Sequence, residues 1–379
     1  MRNPLHVAII SDFCYPVYMG GSSKHVFDIM RGLESVGIEA TLLTRSMDNT
    51  TQYSAEDSDA ENLFVKWCHE GRVAKVPVSL FWNPIRYANF IKNADIVAIE
   101  HPIMGCVGAI VARLMNKKVI YHYHGPIHLE YKLKSGKKNV RYYVLWLMQK
   151  ITCLLSHKLM VHSDYMGNIA ISEHDVQQDK ITLLPPYIEP VTIFGDISSL
   201  PPKNQLWILI PRRLTARTGV VQFIETFVKL PKEIKDSFHI FVSGRGELQQ
   251  TVESLVKEDS THLTYMGFLS YSQLWKMYGL VDAVCVPTVD LEGFGYVILE
   301  GMMEGAAPIV SDTCGGGYDF VMKELGKNWS FKVGNIESLS KVLKMLQTKS
   351  LGREDFKSIA RKYSTQNMLR TYREIVDSL

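Results

Sequence analysis

The sequence predicts an α/β protein made of two doubly wound, Rossmann-like domains in tandem. Three observations carry this expectation. Short β-branched runs alternate with longer helical patterns in the N-terminal half, as in a parallel sheet wrapped by helices. The alternation stops in residues 191–205, which hold Gly195, Ser198, Ser199, Pro201 and Pro202, and then restarts with a new first strand. The chain has 379 residues, 46% of them hydrophobic, enough to fill two cores of ordinary size.

The elements follow in order. Residues 6–10 (HVAII) read as the first strand. Gly20-Gly21 then precedes a helix over about 23–36, and 40–44 is the next strand. Residues 50–61 are polar and acidic and read as a surface loop. Runs at 96–99, 119–123 and 159–162 continue the sheet, each opening into a polar or glycine turn. After the linker, 206–210 begins the second series, followed by 239–242, 283–286 and 307–310. The boundaries expected are 1–195 for the first domain and 203–362 for the second, with 363–379 packing back on the first. Such folds bind ligands outside the C-terminal ends of their strands, so a cleft between the two domains is expected.

Charge and composition narrow the function. With 42 basic and 39 acidic residues the net charge is +3, too balanced for a nucleic-acid-coating surface. The cysteines at 14, 68, 106, 153, 285 and 314 are scattered and form no C-x-x-C pair, which suits free thiols in a reducing compartment. The apolar run near the N-terminus is a strand in length, not a signal peptide, and no uncharged run approaches the ~20 residues of a membrane span. A cytoplasmic protein is expected, with contact at a membrane surface as an option.

The most informative stretch is 282–321. Glu292 and Glu300 flank seven residues, and Gly293-Phe294-Gly295 lies between them at the start of a helical run. A helix N-terminus offers unpaired N–H groups to an anion, and carboxylates accept hydrogen bonds from sugar hydroxyls. Together they point to a nucleotide-sugar. Arg212, Arg213 and Arg217 cluster just past the first strand of the second series, where bidentate guanidinium groups suit a diphosphate, although such clusters are more often solvated loops. Gly20-Gly21 suits close approach to a phosphate, or is a plain loop pair. Gly244-Arg245-Gly246 is no dinucleotide fingerprint, because Gln249 occupies the third glycine position. His124, at a strand end, is a site candidate, whereas His122 within the strand reads as packing. Asp57-Ser-Asp59 is read as solvated surface, Asp290-Leu-Glu292 is not read as a metal pair, and no His/Cys cluster has ligand spacing. Residues 130–150 carry six basic residues against Glu130 alone, interleaved with aromatics. They read as a helix with aromatics inward and lysines outward, with a peripheral contact to anionic lipid as the alternative.

These motifs together resemble the retaining glycosyltransferase family 4, of GT-B fold, over nearly the whole chain. Glu292-x7-Glu300 is the most specific mark. The loop Gly20-Gly21-Ser-Ser-Lys-His-Val, His124-Gly125, Ser163, Gly244-Arg245-Gly246, Met266-Gly-Phe268 and Gly315-Gly316-Gly317 with Asp319 look like the family's other loops. Two departures stand out. The family's Gly-Arg-Leu followed by Lys-Gly is here Arg213-Leu214 with Thr218 in the lysine position, and Arg217 beside it as a substitute charge. Residues 185–189 (PPYIE) replace the usual Pro-Asn-Gly turn.

The resemblance implies transfer of a sugar from a nucleoside diphosphate-sugar, UDP favoured over GDP, to a hydroxyl of a glycan, lipid-linked or small-molecule acceptor. It implies no cofactor and no metal. The catalytic residues implied are His124, Glu292 and Arg213. The implied donor contacts are Gly20, Gly21, Arg217, Thr218, Gly244, Arg245, Met266, Phe268, Phe294, Gly295, Tyr296, Val297 and Glu300. Glu300 would hold the ribose and Glu292 the sugar, while domain closure would exclude water. A nucleotide-sugar epimerase and a non-catalytic nucleotide-sugar-binding protein are the competing readings.

Overall fold

In the computed structural model, the first unit is built on a seven-stranded sheet in which every pairing is parallel. Its strands are β1 (Leu5–Ser11), β2 (Ile38–Arg45), β3 (Val73–Val76), β4 (Ile96–Ile99), β5 (Lys118–His122), β6 (Lys158–Val161) and β7 (Ile181–Leu183). They lie in the order β3-β2-β1-β4-β5-β6-β7. The second unit has β8 (Leu206–Pro211), β9 (Phe238–Ser243), β10 (Leu263–Tyr265), β11 (Ala283–Val286), β12 (Ala307–Ser311) and β13 (Ser330–Phe331). Their order is β10-β9-β8-β11-β12-β13, again all parallel. The structure describes residues 4–17, 21–45, 58–189, 196–197, 200–348 and 351–379. Gly20, Asp57 and, of the expected linker, residues 191–195 and 198–199 lie outside these.

Each sheet reverses direction at its first strand, which pairs with the second on one side and the fourth on the other. The loops after β1 and β4, and after β8 and β11, therefore flank a topological switch point, where doubly wound folds bind ligands. The central strands are buried on both faces. Val7 through Ile10, Ile208 through Ile210 and Val284 through Val286 are fully buried, which explains their unbroken apolar runs. Trp275, Phe227, Phe238 and Phe241 fill the second core, and Tyr87, Tyr121 and Tyr123 the first.

The division of the chain differs from the sequence reading at its edges. The first unit is 1–185 with Thr365–Leu379, and the second is Pro186–Ser364. The segment after Pro185 joins the second unit because Ile188 bridges to Ser364 and its N–H donates to the Tyr363 carbonyl at 2.8 Å. Tyr187 packs edge-on against Tyr296 there as well. The returning helix, Thr365–Asp377, lies on the first unit. Leu369 sits against Gly32, Arg373 donates to the Val36 carbonyl, and Tyr372 stacks on His122. The expected loop 50–61 turns helical from Ser58, in helix Ser58–His69.

Candidate active site

The second unit gathers four loops at the C-terminal ends of β10, β9, β8 and β11. Backbone bonds sew them together. The Leu214 N–H donates to the Arg245 carbonyl at 2.9 Å, and the Gly244 N–H to the Gly267 carbonyl at 2.8 Å. The Val289 N–H donates to the Arg217 carbonyl at 2.8 Å. Gly219, at φ +70°, is required by this fit, since a Cβ there would stand 1.8 Å from the Pro287 carbonyl oxygen. Gly244 approaches Arg212 as closely, with a Cβ placed 1.9 Å from its carbonyl oxygen.

Glu292 is held from one side. Arg212 Nη2 pairs with Glu292 Oε2, and the Thr288 hydroxyl donates to the same oxygen at 3.2 Å while accepting from Arg212 at 3.0 Å. Glu292 Oε1 has no partner among the described residues. Both side chains are only about a tenth exposed, at 11% and 13%. Burial alone would lower the Arg212 pKa, but the Glu292 carboxylate outweighs it and raises it, so Arg212 stays charged. Glu300, in helix Val297–Met303, accepts from the Tyr278 hydroxyl at 2.7 Å.

The remaining candidates fall around these carboxylates with unequal prospects. Arg213 is exposed. Arg217 is turned to the loop before Glu292, donating to the Leu291 carbonyl at 2.7 Å. It acts there as a loop clamp rather than as the free substitute charge expected. Thr218 is 1% exposed and its hydroxyl donates to the Arg213 and Thr215 carbonyls, so its side chain faces the interior instead of a ligand. Arg245 lies over the Phe268 ring at 5.0 Å, both exposed, with Met266 in the same loop. Phe294 is buried against Tyr296 and Phe320, and Gly295 takes φ +78° just before the helix that Val297 begins. The Gly316 N–H donates to the Glu292 carbonyl, tying the glycine turn to this loop.

In the first unit, imidazoles from a helix and from separate strand ends lie around Glu100. His124 Nε2 meets Glu100 Oε2 at 2.9 Å. His122 Nε2 lies 3.7 Å from Oε1, and His25 Nε2 lies 3.9 Å from Oε2. His25 and His122 share a 3.0 Å hydrogen bond, and His101 bridges Ser11 and Ser22. His162 is bonded to the Leu184 carbonyl. Burial, reinforced by neighbouring imidazoles, pushes His101 and His162 down to about 3 and His122 down to about 4. Burial also opposes the Glu100 charge, yet the facing His122 and His124 more than offset it and its pKa is lowered. An ionised carboxylate thus sits among largely neutral rings, with the partly exposed His124 at its mouth. Gly21 begins helix Gly21–Gly32, which carries His25, with open space at its Cβ position. Ser163 caps helix Asp164–His174, its hydroxyl accepting from the Met166 N–H.

His25, Glu100 and His122 each bring a ligand atom within 4.8 Å of the others, a spacing that would admit a small cation. The sequence reading found no such group because its members come from a helix and two different strands. It also passed over His101, His162 and Tyr278, and it read Arg212 as a diphosphate candidate rather than as the partner of Glu292. One signal was present: a histidine at or just past the end of three successive strands, β4, β5 and β6. Another was Arg212, which stands where the Gly-Arg-Leu pattern has glycine.

Comparison with known proteins agrees in both halves. The family described as Glycosyltransferase Family 4 matches residues 19–191, and that described as Glycosyl transferases group 1 matches 196–363. A probable sucrose-phosphate synthase of Thermosipho melanesiensis is 19% identical over 94% of this chain and 90% of its own length. An uncharacterised glycosyltransferase of Methanocaldococcus jannaschii is 28% identical over 34% of this chain, and the match spans only 32% of that relative. Among solved structures, the sucrose-phosphate synthase of Thermosynechococcus elongatus aligns with TM-score 0.73 at 16% identity, over 99% of this chain and 100% of its own. Anabaena HepE in complex with UDP aligns with TM-score 0.71 at 13% identity, over 99% and 100%. HepE has also been solved with UDP-glucose.

Proposed function

As a member of glycosyltransferase family 4 with the GT-B fold, this chain is a glycosyltransferase, and we propose that it moves a sugar from a nucleoside diphosphate-sugar to an acceptor hydroxyl with retention of anomeric configuration. The acceptor classes that fit are a glycan, a glycolipid and a small molecule. UDP is favoured over GDP, on the strength of the HepE complexes with UDP and UDP-glucose.

The observation that carries this reading is the held but half-open Glu292. Arg212 and Thr288 fix Oε2, which leaves Oε1 for a donor-sugar hydroxyl. Glu300, steadied by Tyr278, is the proposed ribose acceptor. Arg213 and the amides after Gly295 are the proposed diphosphate contacts, and the Arg245–Phe268 stack is the proposed platform for the base. His124, oriented by Glu100, is the proposed hydrogen-bond donor to the sugar. Thr218 drops out of the donor set.

Retention is assigned to a front-face route. The bond from the anomeric carbon to the phosphate oxygen breaks, the bond to the acceptor oxygen forms on the same face, and the acceptor proton passes to the departing diphosphate. Positive charge from arginine and helix-end amides stabilises the leaving group without a metal ion at the phosphates. A cytoplasmic location suits six cysteines that are all free thiols, five of them buried. No helix among the described residues is long and apolar enough to cross a membrane.

The test is product analysis with UDP- and GDP-sugars against an acceptor panel. Transfer with retained configuration is expected, and Glu292→Gln should slow it by ~100-fold or more, the scale of one lost charged contact in a transition state. Near-native rates for that variant would sink the role given to Glu292. Donor conversion without any acceptor would identify an epimerase instead, and binding without turnover a non-catalytic receptor.

A further inference from the structure

Helix Val140–Leu155 turns its apolar side outward. Val140, Tyr143, Val144, Leu147 and Leu154 are exposed, Val140 by 79%, and partly exposed Ile151 continues the line. Their spacing of three, four and seven residues places them on one stripe, ~21 Å long at 1.5 Å per residue. Leu145, Met148, Thr152 and Cys153 form the buried side. The sequence expectation of aromatics inward and lysines outward holds for Tyr142, which is buried, and for the exposed lysines, but not for Tyr143, which faces outward with the aliphatic residues of the stripe.

The stripe is not isolated. Helix Pro102–Leu114 packs beside it and exposes Ile110 and Leu114, and helix Pro84–Ile91, packed on that one, exposes Ile85. At the N-terminal end of the stripe, Lys132, Lys134, Lys137, Lys138 and Arg141 are all exposed. None of these five pairs with a carboxylate among the described residues. Arg141 lies over the Tyr131 ring at 5.2 Å and Lys138 over Tyr142 at 5.5 Å, contacts that leave their charge uncompensated. Helix Val140–Leu155 itself contains no acidic residue.

We propose that this face, an apolar helix stripe with a basic cluster at its head, docks the protein on an anionic lipid surface. The apolar side chains enter the acyl boundary, and the lysines and arginine stay at the level of the headgroup phosphates. An aqueous protein partner would also cover the apolar stripe, but the unpaired basic cluster fits a sheet of negative charge better. Docking would hold the glycosyltransferase beside lipid-borne acceptors. The inference rests on this surface alone and stands independently of the donor assignment.

The test is sedimentation of the full chain with phosphatidylcholine vesicles, with and without phosphatidylglycerol. The wild type should pellet with the anionic vesicles and much less with the neutral ones, and high salt should release it. Val144→Asp with Leu147→Asp should lower the bound fraction by ~10-fold or more, as should Lys134→Gln with Lys137→Gln and Lys138→Gln. The altered positions are exposed, so unchanged melting and an unchanged thermal shift with UDP should show that the fold and donor site persist. Absence of the wild type from both pellets would overturn the proposal, as would equal binding to the two vesicle types. So would a wild-type dimer in solution that the Val144/Leu147 variant converts to monomer, since that would make the face a contact between copies.

Discussion

Replacing Arg212 with alanine is the sharpest probe of the second unit. Arg212 and Glu292 are each only about a tenth exposed, at 11% and 13%, and each is the other's charged partner. Removing the guanidinium leaves the carboxylate with the Thr288 hydroxyl alone. Breaking a fully buried pair costs about 3–5 kcal/mol, and the residual solvent contact places this one near the lower figure. A loss of about 3 kcal/mol corresponds to roughly a 150-fold change in the folding equilibrium. Most of that loss is the stranded charge, so Arg212→Ala combined with Glu292→Ala should be milder than the two single effects added. A coupling of about 1–3 kcal/mol is expected. Urea denaturation of the four proteins in the cycle measures it. Strict additivity, or a single-variant cost below about 0.5 kcal/mol, would show that the pair is a surface contact and that Glu292 is not held by Arg212.

Further outcomes follow from other sites. Arg213→Ala should weaken UDP binding by about 1.5–3 kcal/mol in calorimetry, the value of a charge-assisted contact, and unchanged affinity would remove Arg213 from the diphosphate. Gly219→Ala should destabilise by more than about 2 kcal/mol, because the new methyl meets the Pro287 carbonyl at 1.8 Å and φ is +70°; a near-native melting temperature would refute that packing. Acid should weaken the first unit. His122 titrates at about 4 in the fold against 6.5 in the unfolded chain, so unfolding takes up protons below pH 6.5. Stability is therefore unaffected by this group above pH 6.5 and falls toward pH 4, by on the order of 3 kcal/mol from His122 alone. Urea midpoints that do not drop between about pH 7 and about pH 5 would contradict the buried neutral cluster. Transfer in the presence of a chelator should keep its rate. Loss of activity there, with metal recovered from the protein, would point to His25, Glu100 and His122.

The nine strands read from sequence are the interior of the two sheets, while β3, β7, β10 and β13 went unseen. All four are sheet edges, two to four residues long. An interior strand is buried on both faces and announces itself as an apolar run, whereas a short, half-solvated edge strand leaves no such run. The carboxylates of the second unit were legible because they share one loop and helix. The Arg212–Glu292 pairing and the Glu100 cluster were not, because the partners lie far apart in sequence: 80 residues separate Arg212 from Glu292, and 24 separate Glu100 from His124. The linker boundary was misplaced for a similar reason, since the bridge from Ile188 to Ser364 is invisible in local composition.

The return of Thr365–Leu379 to the first unit has a consequence for biosynthesis. The second unit is continuous in sequence and can finish folding once Ser364 has emerged from the ribosome. The first unit, although begun earlier, lacks until Asp377 has emerged the helix that lays Tyr372 over His122 and Leu369 against Gly32. The half translated first is thus completed last. A fragment ending at Pro185 should emerge with an uncovered apolar strip and aggregate, whereas the same fragment supplied with residues 365–379 in trans should be rescued.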